Sequence, residues 1–119
     1  MVCVFARKTS EPLASLVKQI DRKIGENSKL KSFVVLITDQ GDRAKEDLQK
    51  LAADAAVQHV PLTMYQEITG PPNYELAKDA GMTVLMWKRS EIKVNRAFKD
   101  LPTTKDIDAV VADISKILD

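Results

Sequence analysis

Five consecutive apolar residues, Phe33-Val34-Val35-Leu36-Ile37, stand between two segments whose apolar positions recur every three or four residues. A strand with one wet face alternates apolar with polar. A run that is apolar at every position is instead buried on both faces, as a parallel strand covered by helices is. The run is strand-sized and far short of a bilayer span. The chain is therefore expected to be an α/β domain with residues 33–38 as a central strand and helices on both faces of the sheet.

The flanking segments fit that frame. Val2 to Phe5 reads as a second short buried strand. After it, Ser10 is an expected N-cap, with Glu11 and Pro12 as first-turn residues of a helix. Leu13, Leu16, Val17, Ile20 and Ile24 give that helix one apolar face, Gly25 and Asn27 end it, and Lys18, Asp21 and Arg22 are expected to face water. Asp39-Gln40-Gly41-Asp42 reads as a loop, and Ala44, Leu48, Leu51, Ala52 and Ala55 carry a second helix. Residues 60–65 form a third strand with Pro61 near its start, where a missing ladder donor is tolerated. Gly70-Pro71-Pro72 stiffens a loop leading to a short helix over 74–80, which Gly81 stops. Residues 82–87 and 91–98 pair as an antiparallel hairpin across Lys88-Arg89-Ser90. Thr103 and Thr104 are N-caps for a last helix with Ile107, Val110, Val111, Ile114, Ile117 and Leu118 on its apolar face. The order is β-α-β-α-β-α-β-β-α, with three parallel strands and the hairpin in one mixed sheet. No linker or repeat divides it, so residues 1–119 are one domain.

Composition narrows the function classes. With 119 residues and 45% hydrophobic content, one core fills without metals or disulfides. Lys and Arg number 18 against 17 Asp and Glu, interspersed along the chain, so no footprint for nucleic acid or an anionic membrane is present. No membrane span and no signal peptide are read, and the chain is expected to be soluble; an upstream segment would make it secreted or periplasmic. One cysteine forms no internal disulfide, and one Cys with one His does not build a metal site. No metal and no cofactor are expected, and nothing in the sequence sets the oligomeric state.

Three segments carry a resemblance. Val60-Pro61-Leu62, then Tyr74-Glu75-Leu76-Ala77-Lys78-Asp79-Ala80-Gly81, then Thr83-Val84-Leu85-Met86-Trp87 look like the strand, short helix and following strand of a peroxiredoxin-like chain. With the element order, the chain resembles the thioredoxin-like superfamily over residues 2–118. The helix and strand within 42–65 correspond to the peroxiredoxin-like insertion, and the N-terminal strand and helix of many relatives are lacking.

The resemblance implies redox chemistry at the turn after the first strand. There a C-x-x-C or T-x-x-C opens the helix, whose N-terminus stabilises a thiolate. This chain has Thr9-Ser10-Glu11-Pro12, with threonine at the first position and proline where the sulfur belongs. The resemblance also implies a cis-proline before the strand facing that turn, and Met82 stands at the matching position. Both halves of the site have changed, so the implied function is a non-catalytic thioredoxin-like module for protein binding or scaffolding. Its vestigial active-site face, and expected partner contact, comprises Thr9, Ser10, Glu11, Pro12, Met82, Gly70, Pro71, Pro72 and Tyr74.

Two other readings compete. A thiol oxidoreductase or peroxidase-related protein would act through Cys3 or through cysteines upstream, but Cys3 inside an apolar strand reads as a core residue. A small-anion binder would use the amides at the Ser10 helix N-terminus. Among the remaining residues, His59 reads as a solvated loop residue, and Trp87 and Tyr74 as core or core edge. Residues 70–74 read as a connector with Asn73 as N-cap. Asp39, Asp42 and Glu46 miss the calcium-loop pattern and read as caps and solvated residues.

Overall fold

In the strand β1 (Val2–Ala6) every residue is buried, and its side chains alternate between two cores. Val2, Val4 and Ala6 join the larger core, whereas Cys3 and Phe5 join a smaller one on the other face. The computed structural model describes residues 1–7, 9–27, 29–38, 41–65, 81–88, 91–99 and 102–117. The expected short helix over 74–80 lies outside the described residues.

The described elements follow in the order β1, α1 (Glu11–Glu26), β2 (Ser32–Ile37), α2 (Gly41–Ala55), β3 (Leu62–Tyr65), β4 (Met82–Lys88), β5 (Glu91–Phe98) and α3 (Thr104–Asp113), the last continuing as a 3-10 turn over Ile114–Ile117. They form one five-stranded mixed sheet in the order β3-β2-β1-β4-β5. β1 runs parallel to β2, with Val4 beside Val34, and β2 runs parallel to β3. β1 is antiparallel to β4, with Ala6 beside Met82, and β4 pairs antiparallel with β5.

One expectation needs correcting. The middle strand is β1 rather than residues 33–38, because β4 takes the free side of β1 while β2 sits between β1 and β3. The three described helices share one face, and the expected helix over 74–80, on which the two-faced expectation also depends, lies outside the described residues. Among the described residues, the buried apolar residues of α1, α2 and α3 all belong to the larger core, together with Val34, Leu36, Val84 and Met86. The smaller core contains strand residues alone, namely Cys3, Phe5, Val35, Ile37 and Leu85, with Phe33, Tyr65 and Trp87 packed against it. The reason lies in direction. β1, β2 and β3 are laid down side by side, and two successive right-handed crossovers moving the same way across a sheet put their helices on the same face.

Local chemistry sets the helix ends. The Ser10 hydroxyl accepts from the Leu13 N–H at 3.3 Å, and the C-cap Asn27 N–H donates to the Lys23 and Ile24 carbonyls. Between them Leu13, Leu16, Val17 and Ile20 are fully buried, each worth roughly 1.5–3 kcal/mol against exposure. Helix α2 starts at Gly41, within the expected loop, and ends at Ala55, followed by Ala56, whose φ is 50°. The Ala56 and Val57 N–H groups return to the Ala53 and Ala52 carbonyls, the Schellman pattern. Thr103 caps α3 in a capping box with Asp106.

Asp21 overturns a second expectation. It does not face water but is buried, and its Oδ1 accepts the N–H groups of Gln58, His59 and Val60 at 3.1, 2.6 and 3.1 Å. The α2–β3 connection is thereby tied to the middle of α1.

Candidate functional site

The turn after β1 lies at the carboxyl ends of β1 and β2, where open α/β sheets form their binding crevices. The Arg7 N–H donates to the Gly81 carbonyl at 3.0 Å, so this turn and the start of β4 are side by side. Thr9, Ser10 and Pro12 are half-buried and Glu11 is exposed. Met82 is only 3% exposed and packs into the larger core, so its side chain offers almost no surface beside the turn. Gly70, Pro71, Pro72 and Tyr74 lie outside the described residues.

The amides at this helix start are mostly committed. Glu11 and Pro12 are its first two residues, and proline has no N–H. The Leu13 N–H is held by the Ser10 hydroxyl, and the Ala14 N–H by the Ser10 carbonyl at 3.0 Å. Of these four residues, only Glu11 offers an amide without such a bond, and its own carboxylate opposes an anion there. The Ser10 helix start is thus a poor anion cradle.

Cys3 lies toward the other end of β1, fully buried beside Phe5 and Leu85. Burial pushes its thiol well above the ordinary cysteine range, because a thiolate there would lose its hydration. His59 is exposed, and Asp21 holds it by its backbone. Phe33 and Trp87 meet edge to face, ring centroids 6.5 Å apart, at the border of the smaller core. Among the described residues no group of three or more His, Cys, Asp or Glu could hold a metal ion, and no helix is long and apolar enough to cross a membrane.

Hollows open on the surface formed by the described residues. A cleft of about 350 Å³ opens where β1 and β2 end, lined by Arg7, Thr9, Thr38, Arg43 and Asp47 over Leu36 and Ala44. A neighbouring cleft of about 300 Å³ shares Thr9 and Asp47 and adds Ser10, Glu11, Lys50 and Asp54. A larger groove of about 570 Å³ runs between α2 and β3, with Leu48, Val57, Leu62 and Met64 in its wall. Sequence reasoning found Thr9 to Pro12 but missed Arg7, Arg43 and Asp47. Their only signal was position, since Arg7 follows β1 and Arg43 and Asp47 lie in the first two turns of α2, at the carboxyl ends of adjacent parallel strands.

No family model, no curated protein and no solved structure matches this chain.

Proposed function

We propose that the chain is a non-catalytic thioredoxin-like module that uses the turn after β1 as a protein contact. One observation carries this reading. The Thr9–Pro12 turn and the beginning of β4 adjoin through the Arg7–Gly81 hydrogen bond, as the resemblance requires of an active-site turn and the segment facing it, yet the turn carries no cysteine and Met82 stands where the facing proline belongs. The topology supports it, since α2 and β3 add to the outside of β2 as an insertion into a β2-β1-β4-β5 core would. The chemistry supports it as well, because the one thiol is buried and held protonated.

Two measurements test the reading. The wild-type chain is expected to leave insulin disulfides and peroxide untouched, and turnover lost in Cys3→Ser would overturn the non-catalytic assignment. A photoreactive residue at position 11 is expected to crosslink a protein partner that untagged chain competes away, while the same residue at position 93 does not. Equal labelling from both positions would remove the turn as the contact. The vestige has its own readout. Pro12→Cys puts a thiol in the first turn of α1, where it is expected to titrate below the ordinary value of about 8.5. A thiol titrating at or above that value would argue against a retained thiolate site.

A further inference from the structure

We infer that the groove between α2 and β3 binds a medium-chain aliphatic carboxylate, its tail laid over Leu48, Val57 and Leu62 and its head against Lys45. The groove exists because the helix layer ends there among the described residues. Helices α1, α2 and α3 bury their apolar stripes against one face of the sheet, but on that face Leu62 and Met64 of the outer strand β3 stay half-buried. Ala52 of α2 has too short a side chain to close the gap, and Val57 of the α2–β3 connection is half-buried beside it. The wall is thus aliphatic, and an aliphatic tail laid on it leaves water.

The rim selects the head group. Lys45 is exposed and pairs with no carboxylate among the described residues. The Gln49, Gln58 and His59 side chains join it at the rim, and none of the described residues lining the groove is acidic. The two other clefts carry carboxylates, Asp47 in both and Glu11 and Asp54 in one. Because Asp21 already takes the backbone N–H groups of Gln58, His59 and Val60, the lysine is the charge a ligand meets. An ammonium is a compact point charge that matches one carboxylate, and a second negative charge on the ligand would find no cation. At about 570 Å³ the groove falls inside the range of small-molecule sites, roughly 300–1,000 Å³. This inference does not rest on the protein-contact reading, since α2 stands between the groove and the cleft that holds Thr9, Ser10 and Glu11.

The test is a titration of the wild-type chain with butanoate, hexanoate and octanoate, followed by backbone amide resonances at constant ionic strength. Octylammonium is the control of opposite charge. Saturable shifts are expected at Ala52, Val57 and Leu62, with affinity rising about threefold for each added CH2. Octylammonium, which has the same tail, should bind more weakly. Lys45→Glu should reverse that order while the dependence on tail length stays. Leu62→Thr, which keeps a strand-forming residue in β3, should flatten the dependence on tail length. Affinity that ignores tail length, a wild-type chain without preference for octanoate over octylammonium, or a preference that survives Lys45→Glu in a chain whose spectrum shows it folded would overturn the inference. Groove resonances that move with protein concentration alone would give the groove to a second copy of the chain and overturn it as well. Crosslinking from position 11 is read separately, so either reading can fail while the other stands.

Discussion

Asp21 Oδ1 satisfies three successive backbone donors from a segment 37 to 39 residues away, and it does so from inside a helix. A charge-assisted hydrogen bond is worth more than a neutral one, and the Val60 N–H is buried where no water replaces a lost partner. Asp21→Ala is expected to cost about 3 kcal/mol in urea unfolding, and Asp21→Asn, which keeps an acceptor in place, markedly less. A loss under about 0.5 kcal/mol for the alanine variant would mean that the connection holds itself. The residue also marks where sequence reading stops. Ser10 was legible because its partner, Leu13, is three positions on, and helix geometry alone brings them together. Nothing local tells Asp21 from Lys18 or Arg22 as a solvated residue, because its partners arrive only when β3 joins the sheet. Arg7, Arg43 and Asp47 were missed for the same reason, since the cleft they line exists only once β1, β2 and α2 are assembled.

Elements were read well wherever their boundaries are made by neighbours in sequence. The capping of α1 and α3, the β4–β5 hairpin and the parallel β1, β2 and β3 all follow from such signals. Which face each helix covers was not legible, because that depends on the direction of travel across the sheet and not on the apolar stripe. The end of α2 carries a testable strain. A left-handed conformation costs an L-residue about 1–2 kcal/mol, and Ala56 adopts one at φ 50° in the slot that glycine fills in this motif. Ala56→Gly is therefore expected to stabilise the fold by up to about 1 kcal/mol after the added freedom of the unfolded chain is counted, and an unchanged or lower urea midpoint would refute this. Between β5 and α3 the link is electrostatic. Asp113 is buried and paired with Arg96 and, at 3.1 Å, with Lys116. The Arg96 hydrogen bond, outweighing the cost of burial and aided by Lys116, holds the Asp113 carboxyl below the usual carboxylate range. A pKa depressed by folding means stability that is fully present above the unfolded value near ~4 and is lost as pH falls through the folded value. Asp113→Asn should thus be less stable than wild type at neutral pH and converge with it in acid. A gap of constant size across that range would contradict the pairing.

Across the whole molecule, protection should fall away from β1, which is flanked by β2 and β4 and buried along its full length. Amide hydrogen exchange is expected to be slowest in β1 and the adjoining positions of β2 and β4, and faster in β3 and β5. A β3 as protected as β1 would count against this gradient. β3 and β5, the outermost strands among the described residues, have one more consequence. An unpaired ladder is a template on which further chains can polymerise. Here β3 is four residues long with Pro61 just before it, which leaves little to copy. β5 is longer, but its register slips opposite Met86 and Trp87, leaving Lys93 as the extra residue between Ile92 and Val94. That kink, with the exposed charges of Glu91, Lys93 and Lys99, spoils the flat surface that fibril growth needs. Deleting Lys93 would restore an even ladder beside the exposed Ile92, and the resulting chain should seed thioflavin-positive fibrils under conditions in which the parent stays dispersed. The irregularity in β5 thus acts as a guard against self-templating.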